Sequence, residues 1–142
     1  MKKIRRKNKM EYYTGYELYV EVEKKSQLKD ICKKIIKWNK KDENFLYPFI
    51  AMDELDYYLS SNKSNTKVDN MVFLFEPNDS ANWDDHEKDM LKLSREFPKT
   101  LFKLHGEGEE DGDIWDKYFL NGKIQRCHAK IIIDDFDITK LE

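Results

Sequence analysis

The sequence predicts an α+β fold, an antiparallel sheet with two main helices packed on one face. Three observations carry that expectation. Asn121-Gly122 separates two runs of alternating character, 114–120 and 123–133, and Asn-Gly is the pair that most cheaply supplies the two positive φ angles of a type I′ hairpin turn. Residues 16–22 alternate strictly, with Leu18, Val20 and Val22 on one side and Glu17, Tyr19 and Glu21 on the other, the period of a half-buried strand. Two further stretches repeat apolar residues at three- and four-residue spacing, the period of an amphipathic helix.

In chain order, residues 1–14 form a basic arm whose lack of periodicity predicts flexibility. Its positive charges are Lys2, Lys3, Arg5, Arg6, Lys7 and Lys9. A first strand spans 16–22. Ser26 is the expected N-cap of a helix that buries Leu28, Ile31, Cys32, Ile35 and Ile36 and turns Lys29, Lys33, Lys34 and Lys37 to water. Residues 42–67 read as an insertion, with a short helix over Met52–Ser61 in which Asp53, Glu54 and Asp56 lie near the start, where the helix dipole favours them. Leu55, Tyr57, Tyr58 and Leu59 give that acidic helix aromatic and apolar anchors for a partner. Met71–Phe75, stopped by Pro77, reads as a central strand. Asp84 or Asp85 starts the second helix, with Met90, Leu91, Ser94 and Phe97 as its buried stripe and Pro98 as its end. Thr100–His105 is the next strand and the hairpin follows. The last residues, with Phe136, Ile138 and Leu141, are expected to pack as an irregular end. The order β-α-(insertion)-β-α-β-β-β is nearest to a ferredoxin-like β-α-β-β-α-β arrangement, as a variant ending in a β-hairpin. A full match requires a strand within the insertion or a different pairing.

The chain has 142 residues, the size of one domain, and 15–142 are read as that single domain. Charged residues are 38% of the whole and aromatic residues 13%, too aromatic for a disordered chain. No run is long and apolar enough for a membrane span, no apolar stretch follows the basic start, and Cys32 and Cys127 stand apart, so a cytoplasmic location is expected. The net charge of -2 conceals a division: residues 1–41 hold 14 Lys and Arg against 5 Asp and Glu, a balance of +9, and the remainder holds 12 against 23, a balance of -11. The basic arm can attract nucleic acid, fold back on the acidic part or serve solubility.

A two-residue turn sets Leu120 opposite Lys123, Phe119 opposite Ile124, Tyr118 opposite Gln125 and Trp115 opposite His128. One side then carries Ile114, Tyr118, Leu120, Cys127, Ala129, Ile131 and Ile133, read here as the core side. The other carries Trp115, Lys117, Phe119, Ile124, Arg126, His128, Lys130 and Ile132. Its mixture of aromatic and basic groups requires either a covering segment or a partner. Were it open, Trp115, Lys117, Phe119, Arg126, His128 and Lys130 would suit the stacking of bases. Just before the hairpin, GEGEEDGD places Glu107, Glu109, Glu110, Asp111 and Asp113 among three glycines. Carboxylates this dense repel one another and stay in water, as a merely solvated loop, as ligands of a hard cation such as Ca²⁺, or as a negative surface for a basic partner. They lack the ligand order of an EF-hand.

No phosphate loop, Cys-x-x-Cys, His-x-x-x-His or nucleophile elbow is present, so no catalytic residue, metal site or cofactor is predicted. A metal-dependent enzyme would draw on His105, with His128 approaching it across paired strands and an acidic-loop residue beside it. Cys127 and His128 point to opposite faces of a regular strand, against their joint use.

The run from Phe97-Pro98 through LFKLHGEGEEDGDIWDKYFLNGK, ending at Lys123, resembles a C-terminal signature of small uncharacterised proteins from phages, prophages and plasmids of AT-rich bacteria. The ratio of 22 Lys to 4 Arg has the same compositional character. The resemblance implies context, an accessory protein that binds a host macromolecule, and no activity. The leading expectation is a non-enzymatic protein-binding module, an inhibitor of a host defence nuclease among the options, that presents its acidic loop and acidic helix to a basic, nucleic-acid-binding partner. A nucleic-acid binder and a metal-dependent enzyme are the alternatives.

Overall fold

A computed structural model describes residues 11–49, 67–68, 71–75 and 80–142. Alternating side chains make β1, Thr14–Val20, whose buried members are Thr14, Tyr16, Leu18 and Val20. It is followed by α1, Lys25–Lys41. The start of α1 is fixed by the Gln27 carboxamide oxygen, which accepts from the backbone N–H groups of Glu23 and Lys24 at 2.8 and 3.0 Å. The N-cap is therefore Lys24 and not Ser26: Gln27, at the third helical position, reaches back to the backbone N–H of the N-cap as the Gln of a capping box does. Leu28, Ile31, Cys32 and Ile35 are buried, and Lys29, Lys33 and Lys37 are exposed. Two short strands, β2 (Lys67–Val68) and β3 (Met71–Phe75), pair with each other. Then come α2, His86–Glu96, β4, Phe102–Gly108, β5, Ile114–Leu120, and β6, Lys123–His128.

The described strands form one antiparallel sheet in the order β2-β3-β1-β4-β5-β6. With two helices against it, the fold is of the α+β class. Asn121 and Gly122 have φ of 48° and 75°, and Leu120↔Lys123 through Trp115↔His128 pair as a two-residue turn requires. Fourteen further residues follow the hairpin, including a 3-10 turn at Ile138–Lys140.

The register aligns Leu18 with Leu104, Val20 with Phe102, Phe102 with Phe119 and Gly106 with Trp115. These residues share a face with the helices. Leu18, Val20, Phe102, Leu104, Phe119 and Trp115 join Leu28, Ile31 and Ile35 of α1 and Met90 and Leu93 of α2 in one buried cluster. This inverts the expected polarity of the hairpin. Trp115 and Phe119 are 7% and 0% exposed, whereas Ile114 and Leu120, expected inside, are 40% and 44% exposed. The larger rings win the buried side because α2 covers it and β4 makes room. A Cβ at position 106 would overlap the indole of Trp115, so glycine lets that ring lie against the strand backbone. The strand also ends at His128, which leaves Ile131 and Ile133 outside the sheet.

Candidate interaction surface

The β4–β5 connection has a defined shape. Gly108 donates its N–H to the Asp113 carbonyl at 2.8 Å, Asp113 to Glu110 at 3.1 Å, and Ile114 to Gly112 at 2.9 Å. Gly112 takes a φ of 83°, a conformation cheap only for glycine. From the N-terminal side, the Tyr12 hydroxyl donates to Asp113 Oδ2 at 2.6 Å and accepts from the Glu110 N–H at 3.0 Å. The predicted acids divide accordingly. Glu109, Glu110 and Asp111 are exposed. Asp113 is half-buried and tied to Tyr12, while Glu107, with 62% of its side chain exposed, contacts the His105 ring at 3.1 Å. Asp53, Glu54 and Asp56, the other predicted acids, lie outside the described residues.

Beside this loop, the chain leaves the sheet without burying its apolar side chains. Ala129 donates to the Ile114 carbonyl at 2.8 Å, and Ile131 then sits over Gly112, its Cδ1 2.6 Å from where a Cβ would be. Ile131, Ile132, Ile133, Phe136, Ile138 and Leu141 are 67–88% exposed. Asp134, Asp135, Asp137 and Glu142 alternate among them. Asp137 accepts from the Thr139 amide and hydroxyl at 3.0 and 2.7 Å, closing the 3-10 turn. The expectation of a packed end is thus corrected. Six large apolar side chains are exposed within one short segment.

Next to the loop's base is a cleft of about 220 Å³, lined by Tyr12, Thr14, Tyr16, Trp83, Asp84, His86, Asp113 and Trp115. Backbone hydrogen bonds of 2.9 Å in both directions between Thr14 and Ala81 bring Trp83 to the start of β1. Asp89, buried on α2, fixes the indole by accepting from Trp83 Nε1 at 2.8 Å, and takes the Leu46 N–H at 2.9 Å. Burial raises the Asp89 carboxyl above its usual range, against these two bonds. His86 stacks on Trp115, centroids 5.2 Å apart and planes at 21°. Its Nδ1 lies 3.0 Å from the Trp83 carbonyl and its Nε2 2.7 Å from Lys117 Nζ, so Nδ1 carries the proton and Nε2 accepts from the ammonium. Burial, then the Lys117 charge, lowers the His86 pKa.

The predicted nucleic-acid face is this covered side of the sheet. Trp115, Lys117 and Phe119 are buried beneath α2 and present no ring to a base. Lys117 is paired with Glu87 at 2.7 Å, and Arg126 grips the same carboxylate through Nε and Nη2 at 2.8 and 2.7 Å. Only Arg126, His128 and Lys130 of that set are exposed. His105 and His128 lie on opposite faces, since His105 pairs with Asp116 and His128 with Trp115. On the open face, His105 has Asp116 Oδ1 2.7 Å from Nδ1 and Glu107 Oε2 3.1 Å from Nε2. Burial opposes its charge, but these carboxylates outweigh burial and raise its pKa. With a carboxylate beside each nitrogen, the ring is a clasp between β4 and β5. Among the described residues no three His, Cys, Asp or Glu side chains converge as a metal site, and no helix is long and apolar enough to cross a membrane.

Tyr12, Tyr16, Trp83, Asp84 and His86 went unmarked in the sequence as site residues. The nearest signal was a tryptophan stranded in a linker rich in Asn, Asp and Ser. Comparisons with protein families, curated proteins and solved structures find no match for the chain.

Proposed function

We propose that this is a non-enzymatic protein-binding module that docks a basic partner on the acidic β4–β5 loop and the C-terminal segment beside it. The observation that carries the reading is the segment 131–141, with its six exposed apolar side chains interleaved with carboxylates and adjoining the loop through Ile131. Each such group contributes about 1.5–3 kcal/mol when buried, set against the roughly 4–15 kcal/mol cost of association. The apolar groups therefore supply affinity, and the carboxylates orientation and encounter rate. The partner's complement is an apolar groove rimmed by Lys and Arg, a chemistry typical of nucleic-acid-binding proteins. A nuclease that a mobile-element accessory protein restrains is one such partner.

The fold proposed for this role is a ferredoxin-like β-α-β-β-α-β unit with a C-terminal hairpin added at one edge. The antiparallel order β2-β3-β1-β4, with β2 arising before β3, supports it, and β5-β6 extends the β4 side. The test replaces Glu107, Glu109, Glu110 and Asp111 by Lys together. Loss of partner capture with a nearly unchanged Tm is expected; undiminished capture by the folded variant rejects the reading.

A further inference from the structure

The cleft between β1, the segment before α2 and the β4–β5 loop combines two features that aromatic packing alone does not require. Four rings, Tyr12, Tyr16, Trp83 and Trp115, line it together with His86, and two carboxylates, Asp84 and Asp113, line it as well. At about 220 Å³ it lies below the 300–1,000 Å³ range of drug-sized ligand sites, a volume suited to one side chain or small ion. Its walls are preset: Tyr16 meets Trp83 and Trp115 edge-on at centroid distances of 5.2 and 6.1 Å, and Trp83 is pinned by Asp89.

The charges of the lining residues themselves have one sign. Asp113 and Asp84 contribute negative charge; Asp113 also accepts from Tyr12, and Asp84 is exposed. His86 is neutral at pH 7, its pKa lowered by burial and by Lys117. Lys117 is absent from the lining, but it shares Glu87 with Arg126 and lies 4.3 Å from the Trp115 ring centroid, so it opposes a cation on the Trp115 side and the attraction comes from Asp84 and Asp113. The start of α2 opposes a cation with only about half a charge, less than two carboxylates supply. Ring faces with nearby carboxylates attract a desolvated organic cation through the ring quadrupole and through Coulomb attraction.

We propose that this cleft receives a single cationic side chain, an arginine guanidinium or a lysine ammonium, inserted by the partner protein. The cation chemistry rests on the cleft alone; its origin in a partner rests on the protein-binding reading above. Asp113 joins the two sites, because it lines the cleft and closes the acidic loop. The partner's basic surface would meet the loop while one of its cations enters beside Asp113.

The test is an NMR titration of the full chain with argininamide and lysinamide, with citrullinamide as the neutral isostere of argininamide. Saturable shifts of the Trp83 and Trp115 indole N–H signals, with Trp38 unmoved, are expected at millimolar concentrations of at least one cation and not with citrullinamide. Asp84→Asn and Asp113→Asn should each weaken binding at least fivefold; Asp84 is exposed, so that variant keeps the test sound should Asp113→Asn disturb the Tyr12 contact. No saturable shift with either cation, or equal shifts with citrullinamide, overturns the proposal. A second arm changes Lys2, Lys3, Arg5, Arg6, Lys7 and Lys9 to Gln. Unchanged affinity for the cation supports a partner as the source, and several-fold tighter binding assigns the cation to the chain's own arm and overturns the partner origin. Cation binding without partner capture would leave the cleft standing and remove the module reading; capture without cation binding would do the reverse.

Discussion

Glu87→Gln should be the most damaging conservative change to a partly exposed carboxylate in the described structure. Lys117 is 7% exposed on the helix-covered face of β5, in register with Leu104 and Arg126. Its ammonium is 2.7 Å from Glu87. The Arg126 hydrogen bonds first, then Lys117, draw the Glu87 carboxyl down from 4.5 to about 2 against the opposing effect of burial. At about 1.4 kcal/mol per pKa unit, the shift corresponds to a ceiling of roughly 3.5 kcal/mol. Solvent screening reduces it, because 29% of the Glu87 side chain is exposed. Stranding Lys117 without its counter-charge adds a cost in the opposite sense. We expect a loss of about 2–3 kcal/mol at pH 7, read from urea unfolding followed by tryptophan fluorescence.

The depressed pKa also sets the direction with pH. Its stabilisation is complete above the unfolded value near 4.5 and is lost as pH falls through the folded value of about 2, so wild type and variant should converge across that interval. Replacing Lys117 by Met in the same chain should restore most of the loss, since an apolar side chain of similar length needs no partner. A loss under about 0.5 kcal/mol at pH 7, or a difference that persists to pH 2, would refute this reasoning.

Phe119→Ala should cost about 3–5 kcal/mol, and Leu120→Ala, next along the strand but on the open face, under about 1 kcal/mol; similar losses in urea unfolding would contradict the assigned polarity. In an NMR pH titration His105 should titrate above the usual histidine value of 6.5 and His86 below it, and the reverse order would show that the two environments are misassigned. His105 then stabilises the fold below pH 6.5, with the contribution lost as pH rises through its folded pKa. Once a partner is isolated, charge reversal in the acidic loop should slow association about tenfold and flatten its salt dependence, while Ile132→Ser with Phe136→Ser should mainly speed dissociation. Equal effects of both changes on both rates would leave the proposed division of labour unsupported.

How these features read from sequence depends on whether their cause is local. Asn121-Gly122 dictates its own turn, and with it every pairing from Trp115↔His128 to Leu120↔Lys123. Five carboxylates among three glycines could not all be buried, so an exposed loop was legible, though Asp113 ends half-buried against Tyr12. Alternation sorts a strand into two sides without saying which is covered. The wrong choice of core side came with counting Ile131 and Ile133 as strand residues, and Lys117 gave no sign that its face was the covered one. Its burial depends on Glu87, thirty positions away, and on α2 lying over the sheet. The cleft was illegible for the same reason. Tyr12, Trp83, Asp113 and Trp115 come from three segments far apart in sequence, and only the Thr14–Ala81 bridge and the β1–β4–β5 register bring them together. Asp89 shows the same limit, a carboxylate in a helical first turn that serves as a buried acceptor for Trp83 and Leu46.

Site-specific photo-crosslinking tests the proposed docking surface most directly. A benzophenone side chain at position 109, 111 or 133 should join the chain covalently to one common partner, and the same group at position 29 or 33 on the outer face of α1 should not. Crosslinking to that partner from α1 but not from the loop or the C-terminal segment would contradict the account.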